Sequence, residues 1–525
     1  NKKGYFDESS ISNRWWKSAT GTFSLETNDF YHREGNNGGS LKVVVPENQN
    51  NQANGVRIVT TLSQCGGYTI SSGNKWNVSL YVKGDLGDVI DFSFRDGASG
   101  GIISDIVSHT IMYKGWHYIR LDITPNGNTN EGRLRLDFKN TGTYWIDNIV
   151  LASGSEGNEW NEWIVAESGG DFTSITAATK DNNNYKPGDI VLLKTGTYRN
   201  SNWDGDDEFN DSGNNWVSED DNDNGAYTSI GSYDSDNWLA SKNGSIDRPI
   251  VIRNFIDGSG NHHTPLIQFD GSGGLIFGQN SATGNGGNPW TVQHLEIAGL
   301  KVQGASANIS YKSAKKNRDT MVQAIYASSP PNPNVKGTSY KSGGPKRNLY
   351  SGTGINIWRG NYVNIHSNEV FETPGSGIRV NNGDYVRLAH NKVYRTTWWT
   401  FSAPSAIVIA QSKNVDNLSI TKMRIEHNLV YQNMNKLPYF NPGYTTFSSG
   451  SPAVYKCPGA DGNYTNYGDN ADDNGYGCGG FNKIIDGSGV YITRNNDNGG
   501  GGADQNPNGQ YSGGFYFANN VSWGN

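Results

Sequence analysis

Ser367-Asn368-Glu369-Val370-Phe371-Glu372-Thr373 returns three more times along the chain: as His390-Asn391-Lys392-Val393-Tyr394-Arg395-Thr396, as His427-Asn428-Leu429-Val430-Tyr431-Gln432-Asn433 and as Asn519-Asn520-Val521-Ser522-Trp523-Gly524-Asn525. The matched asparagines, Asn368, Asn391, Asn428 and Asn520, lie 23, 37 and 92 residues apart, so a rung of about 23 residues is lengthened by insertions in some turns. An Asn at the same inward turn of rungs stacked ~4.8 Å apart passes its amide to the next rung and satisfies each buried polar group. Each of the first three asparagines follows an apolar strand: Tyr362-Val363-Asn364-Ile365, Tyr385-Val386-Arg387-Leu388 and Met423-Arg424-Ile425. Before these stand Gly354-Ile355-Asn356-Ile357-Trp358, Gly377-Ile378-Arg379-Val380-Asn381 and Ala406-Ile407-Val408-Ile409-Ala410, and later rungs add Gly489-Val490-Tyr491-Ile492-Thr493 and Gly514-Phe515-Tyr516-Phe517-Ala518. Three short strands per rung predict a parallel β-helix. A propeller or a jelly roll has no reason to place one Asn per rung at this period.

Composition agrees. Of 525 residues 68 are Gly, a surplus that suits frequent reversals and excludes a helical protein. Only 34% of residues are apolar, yet 15 Trp and 28 Tyr are too many large rings for a disordered chain. A net charge of −7 argues against a nucleic-acid partner, and no apolar run reaches the ~18 residues a bilayer span needs. The chain starts at Asn1 without an initiator Met or a signal-like segment, which reads as a mature, secreted product, expected to act as a monomer. Of three cysteines, Cys457 and Cys478 bracket a Gly/Asn/Asp-rich loop. A disulfide between them would contribute roughly 3 kcal/mol by chain entropy; two free thiols are the alternative.

Residues 1–153 carry a different pattern. Ser40–Val45, Asn77–Val82, Asp88–Phe94, Trp116–Asp122 and Arg133–Phe138 alternate apolar and polar positions between turn residues, which predicts an antiparallel β-sandwich. Closing on Tyr144-Trp145-Ile146-Asp147-Asn148-Ile149-Val150-Leu151, this module resembles the jelly-roll carbohydrate-binding modules of polysaccharide-degrading enzymes. The resemblance implies a structural Ca²⁺ near Asp147, while the aromatic residues Trp15, Trp16, Tyr68 and Trp76 are candidates to stack on sugar rings. Residues 154–162 read as a linker to a second domain, 163–525. Its opening, Trp163 to Tyr198 with a short amphipathic helix near Thr173 to Lys180, resembles the capped start of a right-handed parallel β-helix, whose first rung needs a cover. The rung pattern over roughly 160–525 is similar to that of β-helix polysaccharide lyases and glycoside hydrolases. That resemblance implies a fold that hosts several chemistries, with neither the acidic calcium cluster of pectate lyases nor the Asp-Pro-His motif of the epimerases found here.

Long insertions at 304–353, 396–404, 433–487 and 495–512 are expected mainly at one corner, between the third strand of a rung and the first strand of the next. They would wall a groove whose floor is the first-strand face. Period-2 geometry points Asn356, Trp358, Arg379, Asn381, Tyr491 and Thr493 outward there. Glu372, Arg395 and Gln432 begin the wall, with Trp398 and Trp399 close behind; a plain Glu372–Arg395 ion pair is the structural alternative. Residues 304–353 hold Lys312, Lys315, Lys316, Arg318, Lys336, Lys341, Lys346 and Arg347 against Asp319, a patch that would hold the carboxylates or sulfates of an anionic polysaccharide. The acidic run around Asp221, Asp223 and Gly225 matches part of a calcium loop without its closing Glu.

Two chemistries fit such a groove. β-Elimination on a uronate polymer needs carboxylate neutralisation, a base for the C5 proton and an acid for the leaving oxygen, for which Arg379, Arg395, Tyr491 and Arg494 are candidates together with Glu372. Hydrolysis needs two flanking carboxyl groups; Glu372 is placed for this, and Asp486 or Asp497 would complete a pair. The scarcity of acids favours the lyase. A non-catalytic carbohydrate-binding adhesin is the alternative from another class.

Overall fold

The computed structural model of the chain describes residues 2–4, 15–17, 21–28, 39–47, 56–60, 68–97, 100–153, 161–179, 186–199, 229–230, 244–269, 273–278, 292–311, 314, 352–400, 405–437, 456–458, 464–466, 488–493, 495 and 511–525. These residues are almost entirely β-structure, antiparallel first and parallel after it.

The N-terminal part is a two-sheet antiparallel sandwich. Val78, Leu80 and Val82 from one sheet meet Phe92, Phe94, Leu134 and Leu136 from the other, all fully buried. Each such side chain contributes about 1.5–3 kcal/mol relative to an exposed one. Tyr68 and Trp76 belong to this core: their rings lie 5.8 Å apart, and Trp76 meets Phe94 edge-on at 5.4 Å. This corrects the expectation that these two rings face a sugar, since both are spent filling the sandwich. Trp15 and Trp16 lie on a short strand, Trp15–Lys17, paired with Val56–Thr60; their side chains lie outside the described residues. Asp147 is buried where the pairing of its strand with Trp76–Lys83 shifts register. Among the described residues no three His, Cys, Asp or Glu side chains converge to hold a metal.

Glu162–Val165 and Ile190–Leu193 pair in one sheet, and from Ile190 onward the rungs visit three parallel sheets in a fixed cyclic order. Sheet I collects the first strands of the rungs, among them Thr353–Trp358, Ile378–Asn381, Ile407–Ala410 and Val490–Thr493. Sheet II collects the second strands, including Gly360–His366, Asp384–Ala389, Thr421–Glu426 and Gly514–Ala518. Sheet III collects the third, including Glu369–Phe371, Lys392–Tyr394, Leu429–Tyr431 and Val521–Trp523. Inward residues repeat in columns: Leu275, Ile355, Ile378 and Ile407 from sheet I, Ile297, Ile365, Leu388 and Ile425 from sheet II, Val302, Val370, Val393 and Val430 from sheet III. All are fully buried in one core. The helix Ile175–Thr179, with Ser174 Oγ accepting from Ala177 N at 3.1 Å, sets Ile175 and Ala178 into the open end of this core.

The Asn ladder forms as the repeat requires. Asn368 Nδ2 donates to Asn391 Oδ1 at 3.1 Å, Asn391 to Asn428 at 3.1 Å, and Asn428 to Asn520 at 2.9 Å. The residue before each, Ser367, His390, His427 and Asn519, turns the corner at φ 54–57°. This left-handed conformation costs a non-glycine residue about 1–2 kcal/mol, offset by the hydrogen bonds its neighbour makes. A second ladder runs five residues later, where Thr396 Oγ1 donates to Asn433 Oδ1 at 2.8 Å and Asn433 Nδ2 to Asn525 Oδ1 at 2.9 Å. Glu372, Arg395, Gln432 and Gly524 precede it, again at positive φ.

Corner lengths are unequal. The turns from sheet II to sheet III hold two residues in six of seven cases, the exception being 255–264. Insertions occupy both other corners: 305–352, 395–406 and 432–489 lead from sheet III to sheet I, whereas 411–420 and 494–513 lead from sheet I to sheet II. The 495–512 insertion is therefore not at the expected corner. It follows the first strand Val490–Thr493 rather than a third strand, and sheet I is bordered by insertions on both edges.

The sandwich packs on sheet II. Tyr81, Trp116 and Tyr118 cover Ile190, Leu192 and Val251. Glu296, fully buried, accepts from Tyr118 N at 2.8 Å; Arg253 donates to Tyr118 O at 2.8 Å and Tyr113 Oη to Asn254 Oδ1 at 2.5 Å. Histidines crowd this seam: Tyr113 packs edge-on against His117, His262 and His366 at 5.1–5.5 Å. Burial pushes His117 down to about 4, against the weaker opposing effects of its bond to Gly115 O and of Glu296; burial, then the neighbouring His427, does the same to His390. A depressed histidine leaves the unfolded chain to bind the proton first, so stability falls as pH drops from about 6.5 to 4. The buried carboxyl of Asp384, raised by burial to about 6, works in the opposite sense over an overlapping range. His117→Phe is thus expected to remove about 3 kcal/mol of the acid-side slope, read from chemical-denaturation midpoints between pH 4 and 7. An unchanged slope would count against the seam as its source.

Candidate functional site

The floor of the candidate site is the outward face of sheet I. Register aligns Asn356, Arg379, Val408 and Tyr491 in one column, and Trp358, Asn381, Ala410 and Thr493 in the next. Asn381, almost fully buried, accepts from Arg379 Nε at 3.0 Å and donates to Asn356 Oδ1 at 3.3 Å. This amide–amide–guanidinium string fixes the plane of Arg379 along the floor. Tyr491 is 40% exposed on the same column, two strand spacings or ~10 Å from Arg379. Trp358 is half-buried beside Asn381.

The corner from sheet III to sheet I gathers the second group. Glu372, 6% exposed, accepts from Gln303 Nε2 at 2.7 Å and pairs with Arg395 at 2.8 Å. Arg395 lies 5.3 Å from the Trp398 ring, and Lys436 Nζ sits 3.0 Å over the same ring. Partial burial, then the charge of Arg395, holds the Lys436 ammonium below its usual range. Trp399 is no open platform: it is buried among Ile309, Ala314 and Leu437, and donates to Ser306 O at 2.8 Å. Its role is to fasten the stretches 305–311, 396–400 and 433–437, with Ala314, into a small satellite core that carries Trp398, Arg395 and Lys436.

The structure thus unites Asn356, Arg379 and Asn381 on the floor, and Glu372, Arg395, Trp398 and Trp399 at the corner, with residues 373–377 linking the groups. Arg494, Lys346, Arg347, Asp486, Asp497, Cys478, the basic cluster from Lys312 to Arg347 and the acidic run at Asp221 lie outside the described residues, as does the Cys457 side chain.

Three features went unread in the sequence. Gln303 and Lys436 join the corner cluster by contact alone, with no motif to announce them. Phe371, Tyr394, Tyr431 and Trp523, each three residues after a ladder Asn, stack along sheet III at 4.4–5.3 Å and within 3–5° of parallel. Rings stacked this closely cover one another's faces and show solvent their edges, so the column stiffens sheet III instead of offering a sugar platform. Asp384, Asp416 and Lys422 form a cluster behind the corner from sheet I to sheet II. Lys422, its side chain fully buried, reaches Asp416 at 2.8 Å and Asp384 at 3.4 Å, and Tyr511 Oη donates to Asp384 at 2.6 Å, tying down the end of the 494–513 connection.

No family model matches this chain, and no curated protein does. Among solved structures, an arabinose-bound GH51 α-L-arabinofuranosidase is 12% identical over 29% of this chain and 24% of its own length, with a TM-score of 0.23. The CBM22-1 xylan-binding domain from Paenibacillus barcinonensis is 14% identical over 29% of this chain and 92% of its own, with a TM-score of 0.21. The catalytic domain of Agl-KA is 10% identical over 82% of this chain and 67% of its own, with a TM-score of 0.22. At these scores the likenesses fix neither fold nor activity.

Proposed function

We propose that the chain is a secreted enzyme cleaving an anionic polysaccharide, by β-elimination, in a groove over sheet I of a right-handed parallel β-helix, with the sandwich serving as a jelly-roll carbohydrate-binding module. The observation that carries this reading is a floor bearing an oriented guanidinium, Arg379, bordered by insertions at both corners of its sheet. Along this floor Tyr491 is exposed and Asn356, Trp358 and Arg379 are half-buried, whereas Asn381, Val408 and Ala410 are covered. In this reading Arg379 and the amides of Asn356 and Asn381 neutralise a uronate carboxylate and so acidify the C5 proton. Tyr491, as its phenolate, accepts that proton, the C4–O bond breaks as the C4–C5 double bond forms, and the leaving oxygen is protonated from solvent or a corner group. Arg395 and Lys436 hold a neighbouring anionic group. Hydrolysis receives less support: Glu372, the acid placed for it at this corner, is engaged by Arg395 at 2.8 Å and by Gln303 at 2.7 Å.

The test is incubation with alginate, pectate, chondroitin sulfate, carrageenan and a neutral glucan, following ultraviolet absorbance and reducing ends together. New absorbance from unsaturated uronates is the expected result. Reducing ends without absorbance would replace elimination by hydrolysis, and silence across the panel would leave a binding protein.

A further inference from the structure

The sandwich and the coil each have a continuous apolar core of their own. The seam between them joins the two through a smaller apolar contact, Tyr81, Trp116 and Tyr118 on Ile190, Leu192 and Val251, and through a group of imidazoles. His109 and His117 come from the sandwich and His366 from the coil, and none is more than 6% exposed. The Tyr113 ring stands between His117 and His366, at 5.4 and 5.1 Å, while His109 lies 6.0 Å from His117. A carbonyl can only accept, so the 3.0 Å contact from His117 Nδ1 to Gly115 O puts the ring proton on Nδ1 and leaves Nε2 bare. Among the described residues the Nε2 atoms of all three rings are buried without a hydrogen-bond partner. The charges facing them there are one carboxylate and one guanidinium. Glu296, fully buried, has Oε1 3.7 Å from His366 Nε2, and Arg253 lies 3.9 Å from the same oxygen. At the border of the group His390 packs on Gly115 and faces His427, His366, Glu426 and Lys83.

We propose that protonation of these imidazoles releases the sandwich from sheet II as an intact module, so that acid opens the seam while both cores stay folded. Glu296 and Arg253 already balance each other. A first imidazolium shares Glu296; a second and a third find neither a counterion nor an acceptor for the new N–H, and they repel one another where screening is poor. Burial, ahead of any neighbouring charge, holds His109 well below the usual imidazole range and His117 at about 4. The docked form therefore binds fewer protons than the open one. Docking is at full strength above about pH 6.5 and weakens as pH falls from there toward about 4. Glu296, whose burial is outweighed by His366 and Arg253, titrates below the usual carboxylate range and stays charged over most of that window. The seam yields before either core because its apolar contact is the smallest of the three and carries the uncompensated protons.

Small-angle scattering of the full chain between about pH 7.5 and about pH 4 tests this. The expected result is an increase in radius of gyration that reverses on neutralisation and leaves the far-ultraviolet β-signal intact. Hydrogen exchange over the same range is expected to lose protection around Tyr118, whose N–H crosses the seam to Glu296 at 2.8 Å, and to keep it around Leu80 and Leu388 in the two cores. His117→Phe keeps a ring in the seam without the bare nitrogen, and its opening midpoint is expected about half a pH unit or more lower. Should that variant not dock at neutral pH, His109→Phe takes its place with the same expectation. Glu369→Gln, on sheet III, is expected to leave the midpoint unchanged. A constant radius down to about pH 4, an expansion that unfolds both cores together, or a midpoint that neither histidine variant moves overturns the proposal.

Discussion

Asn391→Ala is expected to lower the unfolding free energy by about 3–5 kcal/mol, far more than its small side chain would suggest. Asn391 Oδ1 accepts from Asn368 N at 3.2 Å and Asn368 Nδ2 at 3.1 Å, while its Nδ2 donates to Ile365 O at 2.8 Å and Asn428 Oδ1 at 3.1 Å. Truncation strands these partners in a buried interior, and each unsatisfied buried group costs about 1–3 kcal/mol. Apolar contact cannot compensate, because the alanine leaves a void between two amides. Urea titration followed by tryptophan fluorescence measures the loss; a change below about 1 kcal/mol would mean that a water or a shifted neighbour replaces the amide.

Arg379→Ala is expected to reduce turnover on the cleaved polymer by about 10²–10³-fold, the range found when one preorganised charge donor is removed from a reacting centre. The loss belongs in kcat, since carboxylate neutralisation matters most as the C5 carbanion develops. Arg379→Lys keeps the charge but not the planar Nε–H that Asn381 holds at 3.0 Å, so it is expected to recover only part of the rate. Single-turnover kinetics on wild type and both variants separates this from a binding defect. Full activity in Arg379→Ala would displace the reaction from this floor.

The rungs were legible because their periodicity is simple: inward isoleucines and valines alternate with outward polar residues, and a ladder Asn marks each turn. The floor residues followed from the same parity, since a period of two leaves no freedom about which side chain points where. Legibility ended where structure depends on contact between distant stretches. Lys436 meets Trp398 across 38 positions, and Tyr511 meets Asp384 across 127; neither pair has a local signature. Tyr68 and Trp76 misled for a related reason, because an aromatic ring suits a sandwich core and a sugar equally well and only packing decides. The second ladder and the sheet III rings lay in the repeated heptapeptide itself, at its seventh and fifth positions.

The two-residue turn between sheets II and III, kept in every rung after the 255–264 connection, has a further consequence. It acts as a spine that holds the rungs in phase while the other two corners accept long additions. Rungs along such a spine are modular cassettes: duplicating one, from Ile355 to Gly377, would lengthen the floor by ~4.8 Å without disturbing the columns above or below. The floor is in this sense a ruler graduated in rungs, whose length changes by whole-rung gain or loss rather than by point substitution.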